Sequence, residues 1–370
     1  MDFIDDTSTL EQTMIRRAKE QKLPINGSIE LLPLCNMNCD MCYIRLSQDE
    51  MQQKGRLRTT AEWLDLARQM KQAGVLFLLL TGGEPLLFSG FQQLYCELKQ
   101  MGMILTINTN GTLINEAWAD FFGKYKPRRV NITLYGAEEA TYERLCHFPE
   151  GFSKTIQAIR LLRERDVDVK VSCSVTKENK SDLAKIFMLG KELGVPVHVD
   201  HYMMPAVRER SIPFDRQTRL TPEDAASIGL DVMKYQFSES FFKQYVCQTI
   251  ERIQDPEFPR GDGHVSCLAG NCSFSINWQG EMRPCVMLTD PTIPVFETGF
   301  ENAWKEISAR TQEILINSAC TKCSLRPVCR TCAAGAILET GSYDGIPDYL
   351  CRYSKEYYRL LLLEKERMRQ

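Results

Sequence analysis

Between residues 28 and 201, short apolar runs alternate with longer amphipathic stretches. The short runs are rich in Val, Ile and Leu and predict buried strands, whereas apolar residues recurring every three or four positions predict helices. Six strands are predicted, at residues 28–34, 75–80, 103–108, 130–135, 169–175 and 195–201. Helices are predicted at residues 8–21, 59–74, 91–100, 115–124, 138–145, 152–165 and 182–193.

This alternation predicts an α/β fold in which a parallel sheet is joined by right-handed crossovers. Six units are too few for a complete eight-unit barrel, so we expect an open, partial (β/α)6 barrel. Two of the helices begin with a capping box, because Ser8 precedes Glu11 and Thr59 precedes Glu62 by three positions.

The alternation ends near residue 205. Residues 208–219 are charged and lack periodicity, which is typical of a linker, and Thr221 followed by Pro222 predicts the start of a helical stretch. Residues 255–263 are rich in Pro and Gly and mark a boundary. We therefore expect a barrel with an N-terminal helix at 1–205, a helical bridge at 206–265 and a cysteine-rich domain at 266–370.

Composition narrows the possible functions. The formal net charge of −3 gives no indication of a nucleic-acid partner, and no apolar run is long enough to cross a membrane. Residues 1–9 are acidic and polar, unlike a signal peptide, so we expect a cytoplasmic protein. Its 15 cysteines are then better explained by metal binding than by disulfides, because the cytosol is reducing.

The most informative cysteines lie in residues 35–43, the cysteine loop, which contains Cys35, Cys39 and Cys42 at spacing C-x3-C-x2-C. Three thiolates at this spacing can hold a four-iron cluster and leave one iron open, whereas a fully ligated cluster uses four. An open metal position is typical of a catalytic site. The alternatives are a zinc loop or three unrelated core cysteines, although zinc sites usually contain paired C-x2-C units.

The cysteine loop resembles that of the radical S-adenosylmethionine (SAM) enzymes, with Met41 in place of the usual aromatic residue before the third cysteine. The resemblance implies a partial (β/α)6 barrel, a SAM-binding [4Fe–4S] cluster and reductive cleavage of SAM to a 5′-deoxyadenosyl radical. It also implies SAM contacts from a Gly-Gly-Glu-Pro segment after the second strand, from the end of the third strand, from a helical arginine and from the residue after the last cysteine. The matching residues are Gly82, Gly83, Glu84, Pro85, Thr106, Asn108, Arg144 and Tyr43.

Each of these contacts has a plainer explanation. The Gly-Gly-Glu-Pro segment could be an ordinary turn from strand to helix, and Arg144 could be a solvated helical residue. Tyr135, Asp200, His201 and Tyr202 lie at predicted strand ends and are candidates for the catalytic base, although a histidine at such a place is more often structural.

Eight further cysteines follow residue 266. The first three of them frame a predicted β-hairpin with a glycine turn at Gly280. Their order resembles the SPASM extension of peptide-modifying radical SAM enzymes, although Cys329 and Cys332 are one residue closer than in that pattern. By this resemblance one auxiliary [4Fe–4S] cluster has the ligands Cys267, Cys272, Cys285 and Cys332, and a second has Cys320, Cys323, Cys329 and Cys351. Two zinc sites are the alternative.

The resemblance implies three clusters and an enzyme that oxidises or cross-links a ribosomally made precursor peptide. It also implies a flavodoxin or ferredoxin as electron donor. Because only 34 residues precede Cys35, we expect leader recognition to use a separate protein or another surface. The alternatives are a sulfatase-maturating enzyme, a tetrapyrrole or small-molecule dehydrogenase, and an electron carrier without a substrate. Val286 stands where the sulfatase-maturating group has an aspartate, which argues against that group.

Overall fold

The computed structural model describes residues 9–369, and its centre is a sheet of six parallel strands. These strands are β1 (Asn26–Glu30), β2 (Phe77–Thr81), β3 (Ile104–Thr109), β4 (Arg129–Thr133), β5 (Val169–Ser174) and β6 (Val197–Asp200). The helices of this half are α1 (Thr9–Gln21), α2 (Gln48–Lys54), α3 (Thr60–Gln72), α4 (Phe91–Gln100), α5 (Glu116–Lys124), α6 (Glu139–Cys146), α7 (Gly151–Glu164) and α8 (Leu183–Glu192).

The six strands lie in the sheet in the same order as in the chain. With right-handed crossovers and no reversal of order, the connecting helices all pack on one face of the sheet, and the other face curls around an interior space. The predicted partial barrel is therefore confirmed.

The chain after β6 adds helices and three short strands. They are α9 (Pro222–Gln236), α10 (Glu239–Gln254), β7 (Ser273–Ile276), β8 (Glu281–Arg283), β9 (Ile293–Pro294), α11 (Val295–Thr298), α12 (Phe300–Gln312), α13 (Ser318–Lys322), α14 (Ala333–Thr340) and α15 (Asp348–Arg367). The hairpin of β7 and β8 turns at Gly280, whose φ of +89° favours glycine.

The hairpin extends the barrel sheet. Strand β7 pairs in parallel with β1, so that Ile29 lies beside Ile276, and β8 and β9 follow as antiparallel neighbours. The result is one nine-stranded sheet that runs from β6 to β9. The division into domains at residues 205 and 265 stays a prediction. The first and third of the predicted domains, 1–205 and 266–370, both contribute strands to this sheet.

The predicted elements agree with the structure to within a few residues at each end. The helices α11 to α15 were not predicted. Helix α2 was not predicted either, although Ser47 and Glu50 form a complete capping box at its start. Glu62 forms the expected capping box with Thr59, whereas Ser8 lies outside the described residues. Among residues 9–369, no helix combines the length and apolar character that a membrane span requires.

Candidate functional site

A cavity of about 570 Å³ opens at the carboxyl ends of the barrel strands, where parallel α/β folds bind their ligands. Each strand from β2 to β6 contributes a residue at or next to its end. These residues are Thr81, Asn108, Thr133, Ser174 and Asp200. The cysteine loop forms one side of the cavity, and residues 286 and 287 of the C-terminal region form another. Thr133 and Ser174 were not among the predicted site residues. The sequence signal that could have identified them is a polar residue at the end of a predicted strand.

All three cysteines of the loop line this cavity. Two backbone N–H groups point at their sulfur atoms, from Met37 to Cys35 at 3.4 Å and from Arg45 to Cys42 at 3.3 Å. Burial nevertheless raises the pKa of Cys35 to about 12, so a bound cation is needed to keep this thiol ionised at neutral pH. Three cysteines that are buried or partly buried, two of them with N–H groups aimed at sulfur, are a donor set that fits an iron–sulfur cluster.

The carboxyl end of α6 holds the cysteine loop in place. Its carbonyl groups at Leu145 and Cys146 accept hydrogen bonds from the N–H groups of Asp40 and Asn38, both at 3.0 Å. Beyond the helix, the His147 ring lies 2.7 Å from the Asp40 carboxylate. Cys146, one of the cysteines outside the motifs, therefore belongs to the support of the loop, which its position in the sequence did not indicate.

Gly82 and Gly83 line the cavity and also pack against the chain that leads into the cysteine loop. A Cβ at either position would collide with the carbonyl oxygen of Leu32 or Leu34, and the Gly83 N–H donates to Leu32 at 2.7 Å. The two glycines thus allow the end of β2 to approach the loop backbone. This approach is a structural reason for the pair beyond the contact with SAM that was predicted.

Glu84 is completely buried and ties β2 to β3. The Thr109 hydroxyl donates to its carboxylate at 2.8 Å, and the Asn110 N–H donates at 2.9 Å. Burial raises the pKa of Glu84 to about 7, although these hydrogen bonds favour the ionised form. The Asn110 amide also donates to Asn36 at 2.9 Å, so the network reaches the cysteine loop. Neither Glu84 nor Pro85 lines the cavity.

The other predicted SAM contacts divide into two groups. Tyr43 and Asn108 line the cavity. Thr106 lies deeper along β3 and does not, and Arg144 is exposed on α6, where it donates to the Thr141 hydroxyl at 3.4 Å. The geometry therefore gives no support to Thr106 or Arg144 as SAM ligands.

Of the four candidates for a catalytic base, Tyr135, Asp200 and Tyr202 line the cavity. His201 does not, because adjacent residues at a strand end point to opposite sides of the sheet. Its Nε2 lies 3.0 Å from the Tyr353 hydroxyl of α15, a contact that favours a structural role.

The buried His201 makes stability depend on pH. Burial lowers its pKa from 6.5 to about 3, and the charges of Arg330 and His198 act in the same direction. The stabilising effect of the neutral ring is complete above pH 6.5 and is lost as pH falls toward 3. We expect the contribution of His201 to the free energy of unfolding to be lower by roughly 2 kcal/mol at pH 5 than at neutral pH. The melting temperature of H201Q should then fall less than that of the wild type between pH 7 and pH 5, and equal falls would contradict this assignment.

The C-terminal cysteines form two groups in space. Burial raises the pKa of Cys285 to about 11, and the nearby thiols of Cys332 and Cys267 add to the effect. Burial likewise raises the pKa of Cys272, next to Cys267. In the second group, the pKa of Cys351 is raised by burial and then by three neighbouring thiols, those of Cys329, Cys320 and Cys323. Within residues 9–369, no three His, Cys, Asp or Glu side chains converge on a single-ion position.

The remaining cavity wall is mostly apolar and comes from two regions. Met203 and Met204 follow β6, and Val286 and Met287 follow the hairpin. Arg330 also lines the cavity and is exposed, and within the described residues its guanidinium forms no hydrogen bond or ion pair. Sequence reasoning missed this residue because it lies between two cysteines of the C-terminal pattern.

Comparison with known proteins agrees with this architecture. The sequence profile of the radical SAM superfamily matches residues 29–189. An AdoMet-dependent heme synthase of Methanosarcina barkeri is 25% identical over 331 residues, which cover 85% of this chain and 92% of that protein. A PqqA peptide cyclase of Gluconobacter oxydans is 24% identical over 218 residues, covering 56% of this chain and 60% of the relative.

Two solved structures share the fold over almost the whole chain. Streptococcus suis SuiB bound to the precursor peptide SuiA has a TM-score of 0.67 at 17% identity, covering 92% of this chain and 80% of that one. The enzyme anSMEcpe, with bound AdoMet and Cp18Cys peptide, has a TM-score of 0.67 at 17% identity, covering 93% and 98%. The resemblance to radical SAM enzymes with a SPASM extension is thereby confirmed. Residues 29–189 form a radical SAM domain, so the chain carries the domain of a radical SAM enzyme.

Proposed function

We propose that the cysteine loop binds a [4Fe–4S] cluster through Cys35, Cys39 and Cys42, with SAM in the cavity beside it. When bound, the cluster and SAM supply a 5′-deoxyadenosyl radical that removes a hydrogen atom from the substrate. Tyr43, Gly82, Gly83 and Asn108 line the cavity and would contact SAM. The buried network of Glu84 would fix the position of these contacts by joining two strands to the loop.

We also propose that the two C-terminal groups of cysteines hold auxiliary [4Fe–4S] clusters. The first group is Cys267, Cys272, Cys285 and Cys332, and the second is Cys320, Cys323, Cys329 and Cys351. Four thiolates complete the coordination of each cluster, so these clusters would carry electrons rather than bind substrate. Because Cys285 immediately precedes cavity residues, the first of these clusters would lie beside the reaction.

The substrate that we propose is a ribosomally made peptide, which is oxidised or cross-linked. The observation that carries this proposal is the shared cavity: the cysteine loop and the residues after Cys285 face the same space. A radical source and an electron acceptor that face the same cavity suit a reaction in which the substrate loses a hydrogen atom and then an electron. Peptide-bound SuiB and anSMEcpe, which have the same fold, add support.

Formylglycine formation is a weaker proposal. In sulfatase-maturating enzymes, by the resemblance given above, an aspartate follows the cysteine at the end of the hairpin. Here that position is Val286, and its side chain faces the cavity without any acid–base group. A base for that reaction would have to come from another residue, such as Asp200 or Tyr135.

A tetrapyrrole is the second candidate substrate. The relatives matched over at least 85% of both chains include the heme synthase of Methanosarcina barkeri. The apolar methionines of the cavity, together with Arg330, which pairs with none of the described residues, would suit a flat apolar ring that carries carboxylates.

We infer a cytoplasmic enzyme that receives electrons from a flavodoxin or ferredoxin and that, for a peptide, uses a separate recognition protein.

One anaerobic experiment separates the two substrates. The reconstituted enzyme, SAM and dithionite are incubated either with iron coproporphyrin III or with short peptides encoded beside the gene. We expect a peptide product that has lost hydrogen, detected by mass spectrometry. Loss of carbon dioxide from the porphyrin, with unchanged peptides, would replace the peptide proposal. C42A is the control for each substrate.

A further inference from the structure

The segment after β6 that was predicted to be a linker packs against the cysteine loop. Residues 207–211, here called the strap, close on themselves through a β-bridge between Val207 and Ser211. Within the strap, the Arg210 N–H donates to the carbonyl of Tyr43 at 2.9 Å. The strap therefore lies against Tyr43, the last residue of the cysteine loop.

Arg208 anchors the strap. Its two terminal nitrogens lie 2.9 and 2.8 Å from the two carboxylate oxygens of Glu30, the last residue of β1, and both side chains are only 1% exposed. Its guanidinium also lies 4.8 Å from the centre of the Tyr43 ring. A buried, bidentate pair of this kind fixes geometry, because removing either partner would leave a buried charge without its counterion.

Arg210 is different, because no carboxylate pairs with it within the described residues. Its Nη1 donates to the carbonyl of Cys39 at 2.9 Å and to the side chain of Asn38 at 3.3 Å. The positive charge of Arg208 is balanced by Glu30, whereas that of Arg210 is directed at the backbone between two of the loop cysteines. The carboxylate of Glu209, the other charged residue of the strap, lies 3.9 Å from Lys54 and 3.8 Å from Arg208. Arg210 is therefore the strap's positive charge that has no carboxylate partner among the described residues.

We propose that Arg210 is a positioning residue that fixes the cysteine loop and raises the reduction potential of the cluster held there. This inference rests on the proposed function. The cluster takes up one electron from an external reductant, such as dithionite, and its net charge becomes more negative by one. A nearby positive charge stabilises the more negative state, and does so more strongly where it is partly buried, as Arg210 is. Such surroundings set cluster potentials.

The test compares R210Q, R210K and R216Q in the full-length, reconstituted protein. Arg216 lies in the same stretch of chain but is exposed, so R216Q removes one positive charge without touching the loop. The midpoint potential is measured by redox titration followed by electron paramagnetic resonance. The signal of this cluster is identified as the one that changes when SAM is added.

We expect a lower midpoint potential for R210Q, whereas R210K and R216Q stay close to the wild type. If R210Q loses this cluster altogether while R210K keeps both the cluster and its potential, the proposal also stands. Equal potentials in R210Q and the wild type, at equal iron content, would overturn it, and so would equal shifts in R210Q and R210K. A wild type with no SAM-responsive signal would instead show that the proposed function is wrong.

Discussion

Replacement of Cys42 by alanine is expected to abolish the formation of 5′-deoxyadenosine from SAM. Cys42 lines the cavity, and its sulfur accepts the N–H of Arg45, which suits the proposed role of this thiolate as a cluster ligand. With two thiolates left, the loop should not retain a four-iron cluster, because the usual ligand number is three or four. The measurement is the yield of 5′-deoxyadenosine after anaerobic incubation with SAM and dithionite.

The matched control is C96A. Cys96 lies in α4, is only partly buried and lies outside the cysteine loop and both C-terminal groups. This variant should produce wild-type amounts of 5′-deoxyadenosine. The assignment of the cysteine loop would be wrong if C42A still formed 5′-deoxyadenosine, or if the fully reconstituted wild type formed none.

Replacement of Cys285 by alanine is expected to separate SAM cleavage from product formation. Cys285 ends the hairpin, and the next two residues reach the cavity, so its cluster would be the one beside the substrate. Loss of one thiolate exposes an iron and shifts the potential of that cluster, whereas the cysteine loop keeps its three ligands. C285A should form 5′-deoxyadenosine at the wild-type level and almost no product, measured together in one assay.

Iron analysis gives this prediction a second readout. The reconstituted wild type should hold about twelve irons, and C285A should hold about eight if its cluster is lost. C247A is the control, because Cys247 is a partly buried residue of α10 outside both cysteine groups. Product formed by a folded C285A at the wild-type rate would remove the auxiliary clusters from the mechanism.

The strands and helices of the barrel could be predicted because their pattern is local. Strand periodicity and capping residues such as Thr59 with Glu62 are written within a few positions of each other. The cysteine spacing was also local, and it identified the loop that forms one side of the cavity. These signals can be recognised from neighbouring residues, without knowing which distant segments of the chain pack together.

The features that were missed depend on distant contacts. Arg210 bonds to Cys39 across 171 positions, so its stretch appeared to be only a charged linker. The assignment of Glu84 to SAM binding followed the family pattern, whereas its burial and its bond to Thr109 are visible only when two strands lie side by side. Arg144 is a case of the opposite kind. Its position in the sequence suggested a contact with SAM, but in the structure its side chain faces solvent.

The pairing of β7 with β1 has a consequence for engineering. Phe274 packs over Gly27, which has no side chain, and the backbones of the two strands are joined along four residue pairs. A chain cut after β6 would expose β1 as an open sheet edge, and such edges recruit strands from other molecules and promote aggregation. The C-terminal region is therefore not an interchangeable module, and a chimera that replaces it must supply a strand to cover β1.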